Sequence, residues 1–178
     1  MPKSTKKYNP VELWETLESK FMWINRDTML LGADPSTKYT GLALSSYGST
    51  DVVTLGLPMS QFGAELPGWL AEHVGKRRVI LLSEFSAFAR GRASSIAVGA
   101  LEREIRRIIP RQSLQLRIAP VHWRKRILRF TSGRKALKEA SMFLTGLYPD
   151  DIADAECVRR FLEIYFKLAL QAGGKGAP

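Results

Sequence analysis

The chain has 178 residues, 45% of them apolar and 25% charged, which allows one domain with a sizeable core and excludes a disordered chain. Lys and Arg outnumber Asp and Glu by 27 to 17, and the net charge of +10 points to a polyanionic partner, nucleic acid ahead of an anionic membrane surface. No apolar run approaches the roughly 18 residues of a spanning helix, so no membrane association is expected; the basic start MPKSTKKYNP lacks a signal-peptide core. A single cysteine, Cys157, excludes an intramolecular disulfide and fits a reducing cytoplasm.

Asn9, Pro10 and Glu12 form a helix start, and Leu13, Trp14, Leu17, Phe21 and Met22 recur at helical spacing. Residues 1–28 are thus expected to be an N-terminal helical extension, with an amphipathic helix over 10–23. A three-strand meander follows near 29–34, 39–46 and 51–57, turning at Pro35-Ser36-Thr37 and again at residues 46–50. Residues 60–74 read as a helix whose first half is weakened by Gly63, Pro67 and Gly68. Arg78-Val-Ile-Leu-Leu82 is a continuous apolar run, the mark of a strand buried on both faces, and it ends at Ser83-Glu84. A loop carrying Phe85, Phe88, Arg90 and Arg92 leads into a helix over 93–109, with Ile96, Gly99, Ala100, Ile105 and Ile108 expected inward. Leu114 to Ile118 alternates as a fifth strand; helices follow from Pro120 to Leu128, from Gly133 to near Gly146, and from Asp150 or Asp151 to about 172. A short tail, 173–178, closes the chain.

This order predicts an α/β domain over 29–172: one five-stranded mixed sheet, a meander followed by parallel strands, flanked by helices. Right-handed crossover would set the first and fourth strands side by side, bringing Asp34 and Glu84 to one sheet edge. Asp151 and Asp154, three apart, share a face of the last helix, and that face also carries Ala155 and Val158. Acids at strand ends make turns, and acids in a first helical turn cap free amides. Convergence of all three sites favours a further role. Such carboxylates repel one another unless a cation sits among them, and hard oxygen ligands select Mg²⁺ or Mn²⁺. Two such ions can hold an attacking water and a leaving oxygen in line on a phosphodiester.

With those residues the chain resembles the RuvC-type Holliday junction resolvases of the ribonuclease-H-like superfamily. Gly32-Ala-Asp34-Pro35-Ser36 through Thr40-Gly41 matches the family's first motif. Leu81-Leu-Ser-Glu84-Phe85 with Phe88 and Gly99 fits the second, and Asp151-Ile-Ala-Asp154-Ala155 the third. The resemblance implies a homodimeric endonuclease that resolves four-way DNA junctions by paired nicks, with Asp34, Glu84, Asp151 and Asp154 holding two metal ions. It implies basic catalytic residues at Lys135 and at Arg124 or Lys125, and an aromatic, Phe85 or Phe88, inserted at the junction centre. Asp150 competes with Asp151 as ligand. The N-terminal helix lies outside the family core, and neither phenylalanine keeps the family spacing. A viral or phage member, working in the host cytoplasm, suits the small size as well as a bacterial or organellar one.

Twelve Lys or Arg residues lie between Arg103 and Lys138 against one acid, Glu104. This stretch, with Arg124, Lys125, Arg126, Arg134 and Lys138, is expected to contact DNA phosphates, as are Phe85, Phe88, Arg90 and Arg92 beside it. Trp123 is expected in the core. Two other readings stay open: a nuclease of the same fold acting on other branched DNA or RNA, and a DNA-binding module without catalysis.

Overall fold

The structure, a computed structural model, describes residues 27–85, 92–109, 113–129 and 133–173. The expected N-terminal helix, Phe88, Arg90 and the tail beyond 173 lie outside the described residues. So do the side chains of Arg92 and Arg134.

Five strands form one sheet: β1 (Met29–Asp34), β2 (Thr40–Ser46), β3 (Val53–Leu57), β4 (Val79–Glu84) and β5 (Ser113–Ile118). Their spatial order is β3-β2-β1-β4-β5. β1 runs antiparallel to β2 and parallel to β4, as the crossover rule requires. The helices are α1 (Phe62–His73), α2 (Arg92–Ile108), α3 (Pro120–Ile127), α4 (Arg134–Thr145) and α5 (Asp150–Gly173). Among the described residues no helix is long and apolar enough to cross a membrane.

Strand periodicity divides the core into two layers. Leu30, Ile80, Leu82, Leu116 and Ile118 pack with Trp123, Cys157, Val158 and Phe161 on the face covered by α3, α4 and α5. Leu31, Ala33, Leu42, Leu44, Val79 and Leu81 pack with α1 and α2 on the other. Cys157 is buried in the first layer, and burial pushes its thiol up to about 12, which fits a packing role.

Two sequence expectations shift. α1 runs unbroken through Pro67, because Phe62, Leu66 and Leu70 bury completely against the sheet and outweigh its weak propensity. On α2 the buried stripe is Ala97, Val98, Leu101 and Ile105. Ile96 lies almost opposite that stripe at 100° per residue and is 49% exposed, and Gly99 and Ala100, also off the stripe, are half-buried.

Small residues on β1 and β2 decide where α5 sits. A Cβ on Gly32 would meet the Arg159 backbone nitrogen at 2.5 Å and its Cβ at 2.8 Å. One on Gly41 would strike the Asp151 carbonyl and meet the Ile152 nitrogen at 2.7 Å. The α5 backbone therefore rests directly on the sheet, which a side chain at either position would prevent. Arg159 fixes the register. Its guanidinium, 3% exposed as a residue, donates to both oxygens of buried Glu156 at 2.6 and 2.9 Å and to Ser45 Oγ on β2 at 2.8 Å.

Candidate metal and nucleic-acid site

Asp34 is the last residue of β1 and shares the even-numbered face of Leu30 and Gly32, so it points toward α5. Glu84 ends β4 on the same face as Ile80 and Leu82. The parallel ladder's last pair is Ala33 with Ser83, so the two acids leave the sheet side by side. The turn after Asp34 is pinned by its own hydroxyls. The Ser36 amide donates to Thr40 Oγ1 at 3.1 Å, and the Thr40 hydroxyl donates to the Ser36 carbonyl at 2.8 Å. Beyond Glu84 the Phe85 amide continues the ladder to the Ile118 carbonyl at 2.7 Å.

The first turns of α5 bring Asp150, Asp151 and Asp154 over this edge, because Gly32 and Gly41 let the helix descend there. Asp150 is engaged by Lys138 from α4. Asp151 and Asp154, with Glu84, are the acids whose repulsion Asp34 feels. Asp34, Asp150, Asp151 and Asp154 line one cavity of about 440 Å³, together with Arg124, Lys138, Leu137 and Gly133.

Burial pushes the Asp34 carboxyl well above the usual carboxylate range, and repulsion from Glu84, Asp154 and Asp151 adds to it, against a downward pull from Arg124. Burial likewise raises Glu84, partly offset by Arg124 and by the Trp123 hydrogen bond. Burial raises Asp154 against the Ser141 hydroxyl and Arg124, and raises Asp151 with help from Asp150. All four sites prefer fewer protons lost or more positive charge nearby.

Two α3 residues answer that demand. The Trp123 indole, fully buried, donates to Glu84 Oε2 at 2.6 Å. Arg124 Nη2 stands 3.4 Å from Glu84 Oε1 and 3.7 Å from Asp154 Oδ2. Trp123 is thus a core residue, as its surroundings in the sequence suggest, and also the clamp on the β4 carboxylate. A tryptophan set among cations beside a helix start was the available signal, but it named no partner.

With Arg124 placed there, no three acids, imidazoles or thiols among the described residues converge closely enough to hold a metal ion. The donor chemistry nevertheless fits a hard divalent cation. The oxygens are carboxylate oxygens, their mutual repulsion is offset by Arg124 only in part, and buried Asp154 Oδ1 has no hydrogen-bond partner.

The remaining candidates separate. Lys125 is one residue, hence about 100°, round α3 from Arg124. It lines a different hollow of about 460 Å³ with His122, Arg126, Arg129, Phe161 and Tyr165. Lys135 is 91% exposed in its side chain and pairs with Glu139 at 3.7 Å. Among the described side chains of α4, Lys138 reaches the acids. Phe85 is half-buried, with the Arg117 guanidinium 5.3 Å above its ring, and Arg117 is in turn held by both oxygens of Glu102. Arg106 and Arg107 are engaged by Gln115 and Glu104.

No family model matches the sequence, and no curated protein matches it. Solved structures do match in shape. Thermus thermophilus RuvC superposes with a TM-score of 0.58 at 13% identity, over 79% of this chain and 96% of that one. The same organism's RuvC in complex with a Holliday junction substrate gives 0.60 at 12% identity, over 79% and 96%. The yeast mitochondrial Holliday junction resolvase gives 0.55 at 14% identity, over 93% of this chain and 89% of that one. The fold is ribonuclease-H-like, of the form found in these resolvases.

Proposed function

We propose that this chain is a metal-dependent endonuclease that resolves four-way DNA junctions by symmetric paired nicks, acting as a homodimer. The observation that carries the reading is the meeting of Asp34 and Glu84, at the ends of adjacent parallel strands, with Asp151 and Asp154 on the helix laid over them. A helix merely capped by acids has no need of two strand-end carboxylates beneath it. The likeness to a RuvC bound to a Holliday junction substrate supports branched DNA as the partner.

Asp34, Glu84, Asp151 and Asp154 would hold Mg²⁺ or Mn²⁺, two ions per site. When bound, the ions supply an acidified water and charge stabilisation for the departing 3′ oxygen. The chain's own groups prepare the rest. Trp123 fixes the Glu84 carboxylate, Lys138 fixes Asp150, and Arg124 is the cation in the cavity that can face a scissile phosphate. Lys135, Lys125 and Arg126 lie outside the cavity and are assigned to the DNA backbone, together with Arg90, Arg92 and Arg134. Phe85 or Phe88 would meet the bases at the junction centre. A homodimer follows from the product: paired nicks in two strands need two sites related by a twofold axis.

A second reading, DNA binding without cleavage, is favoured by one observation, that the Arg124 guanidinium already stands among the acids, 3.4 Å from Glu84 and 3.7 Å from Asp154. Substrate comparison separates the readings. Given Mg²⁺, a mobile four-way junction should be nicked at paired positions, while linear duplex and RNA–DNA hybrid are spared. Equal cutting of duplex or hybrid would replace the junction assignment, and binding without any cutting would establish the second reading.

A further inference from the structure

Arg124 lines the acidic cavity between Glu84 and Asp154 yet is held by nothing tightly. Its distances of 3.4 and 3.7 Å to Glu84 and Asp154 exceed the roughly 2.7–2.9 Å of a well-made charge-assisted bond. Its Nε is buried with no acceptor, so the guanidinium fork is not used for paired hydrogen bonds. Trp123 by contrast grips the same Glu84 at 2.6 Å and offers its ring face to the guanidinium at 5.1 Å. Asp154 Oδ1 meanwhile stays unpartnered in the same cluster. A permanent structural ion pair would satisfy these atoms. A cation that straddles two acids with one long hydrogen bond, Nη2 to Glu84 Oε1 at 3.4 Å, acts as a placeholder.

We propose that the Arg124 guanidinium is the cavity's resident counter-cation, keeping the carboxylates compatible until a divalent ion takes its place. The inference rests on the metal-dependent reading above. A guanidinium brings one charge spread over a planar group, whereas a divalent ion brings two to one point and draws carboxylate oxygens inward. A bound ion held by Asp34, Glu84, Asp151 and Asp154 would take over the charge balance and free Arg124 from Glu84 and Asp154. Trp123 holds Glu84 in place through the exchange, and the freed guanidinium still faces the cavity where a phosphate would enter.

The test is Mn²⁺ binding to the full chain without DNA, followed by the resonance of free Mn²⁺. Lys138→Gln serves as control, because it removes one positive charge from the same cavity while leaving the cation beside Glu84 and Asp154. Displacement predicts that Arg124→Gln binds Mn²⁺ roughly tenfold more tightly than wild type, against about twofold for Lys138→Gln. Arg124→Lys, which keeps the charge and loses the planar fork, should fall between and provides the reading if the Gln variant does not fold. Equal gains for Arg124→Gln and Lys138→Gln, or no gain for either Arg124 variant, would overturn the inference and leave the metal reading standing. No Mn²⁺ binding by any of the proteins would overturn both.

Discussion

Gly41 lies directly beneath the Asp151 carbonyl, so that the β2 backbone and the first turn of α5 touch with no side chain between them. This contact sets the height of the Asp151–Asp154 pair above Asp34. Gly41→Ala must lift the helix or bend the strand, since both groups in collision are backbone. Such overpacking should cost about 1–3 kcal/mol in urea unfolding. Displacing the acids by about 1 Å should lower junction cleavage on the order of 10²-fold. Wild-type stability together with wild-type cleavage would show that α5 does not depend on this approach.

The raised carboxyls give stability a definite pH dependence. Asp34 binds its proton more firmly in the folded chain than in the unfolded one, chiefly through burial and then through Glu84, Asp154 and Asp151. Its contribution is therefore neutral below the unfolded value, roughly pH 4, and becomes a growing cost as pH rises through the folded value. Asp34→Asn removes that cost. In metal-free buffer at neutral pH the variant should unfold later than wild type, by on the order of 1 kcal/mol, and the difference should vanish toward pH 3–4. Thermal melts across that range decide it. A variant less stable than wild type at pH 7 would rule out electrostatic repulsion as the dominant effect.

Trp123→Phe keeps a ring in the core and deletes the donor to Glu84. Since burial raises the Glu84 carboxyl and the indole hydrogen bond holds it down, the variant should raise it further. The acid limb of the pH–rate profile for cleavage should move to higher pH, beside a stability loss of about 1–2 kcal/mol from the smaller ring. An unmoved limb would mean that the indole only packs.

Much of this site is legible in the amino-acid sequence. The exits of β1 and β4 are marked by apolar runs ending in Asp34 and Glu84, and the crossover rule places those runs together. The D-x-x-D spacing puts Asp151 and Asp154 on one helical face. Phase and packing are what the sequence leaves open. Periodicity does not distinguish Arg124 from Lys125 on the short α3, and one residue there separates the acidic cavity from the hollow beside Phe161. Gly32 and Gly41 announce a close approach but not that α5 fills it. The unbroken course of α1 through Pro67 comes from tertiary burial, which local propensity cannot register.

The hollow between α3 and α5 carries Lys125, Arg126 and Arg129, and no carboxylate lines it among the described residues. If these cations follow a DNA arm, removing each one should make the logarithmic salt dependence of binding shallower by about 0.9. Changing all three to Gln should flatten the slope by roughly 2–3, with cleavage at saturating protein little altered. An unchanged slope would place the DNA elsewhere.

Asp34 is the residue on which the nuclease reading depends most. Junction binding and single-turnover cleavage should be measured side by side for wild type and Asp34→Asn in Mg²⁺, with the nicks mapped on all four strands. Wild type should give symmetric nicks, and the variant should bind the junction undiminished while cleaving none of it. Nicking by Asp34→Asn at the wild-type rate would refute the metal-dependent mechanism.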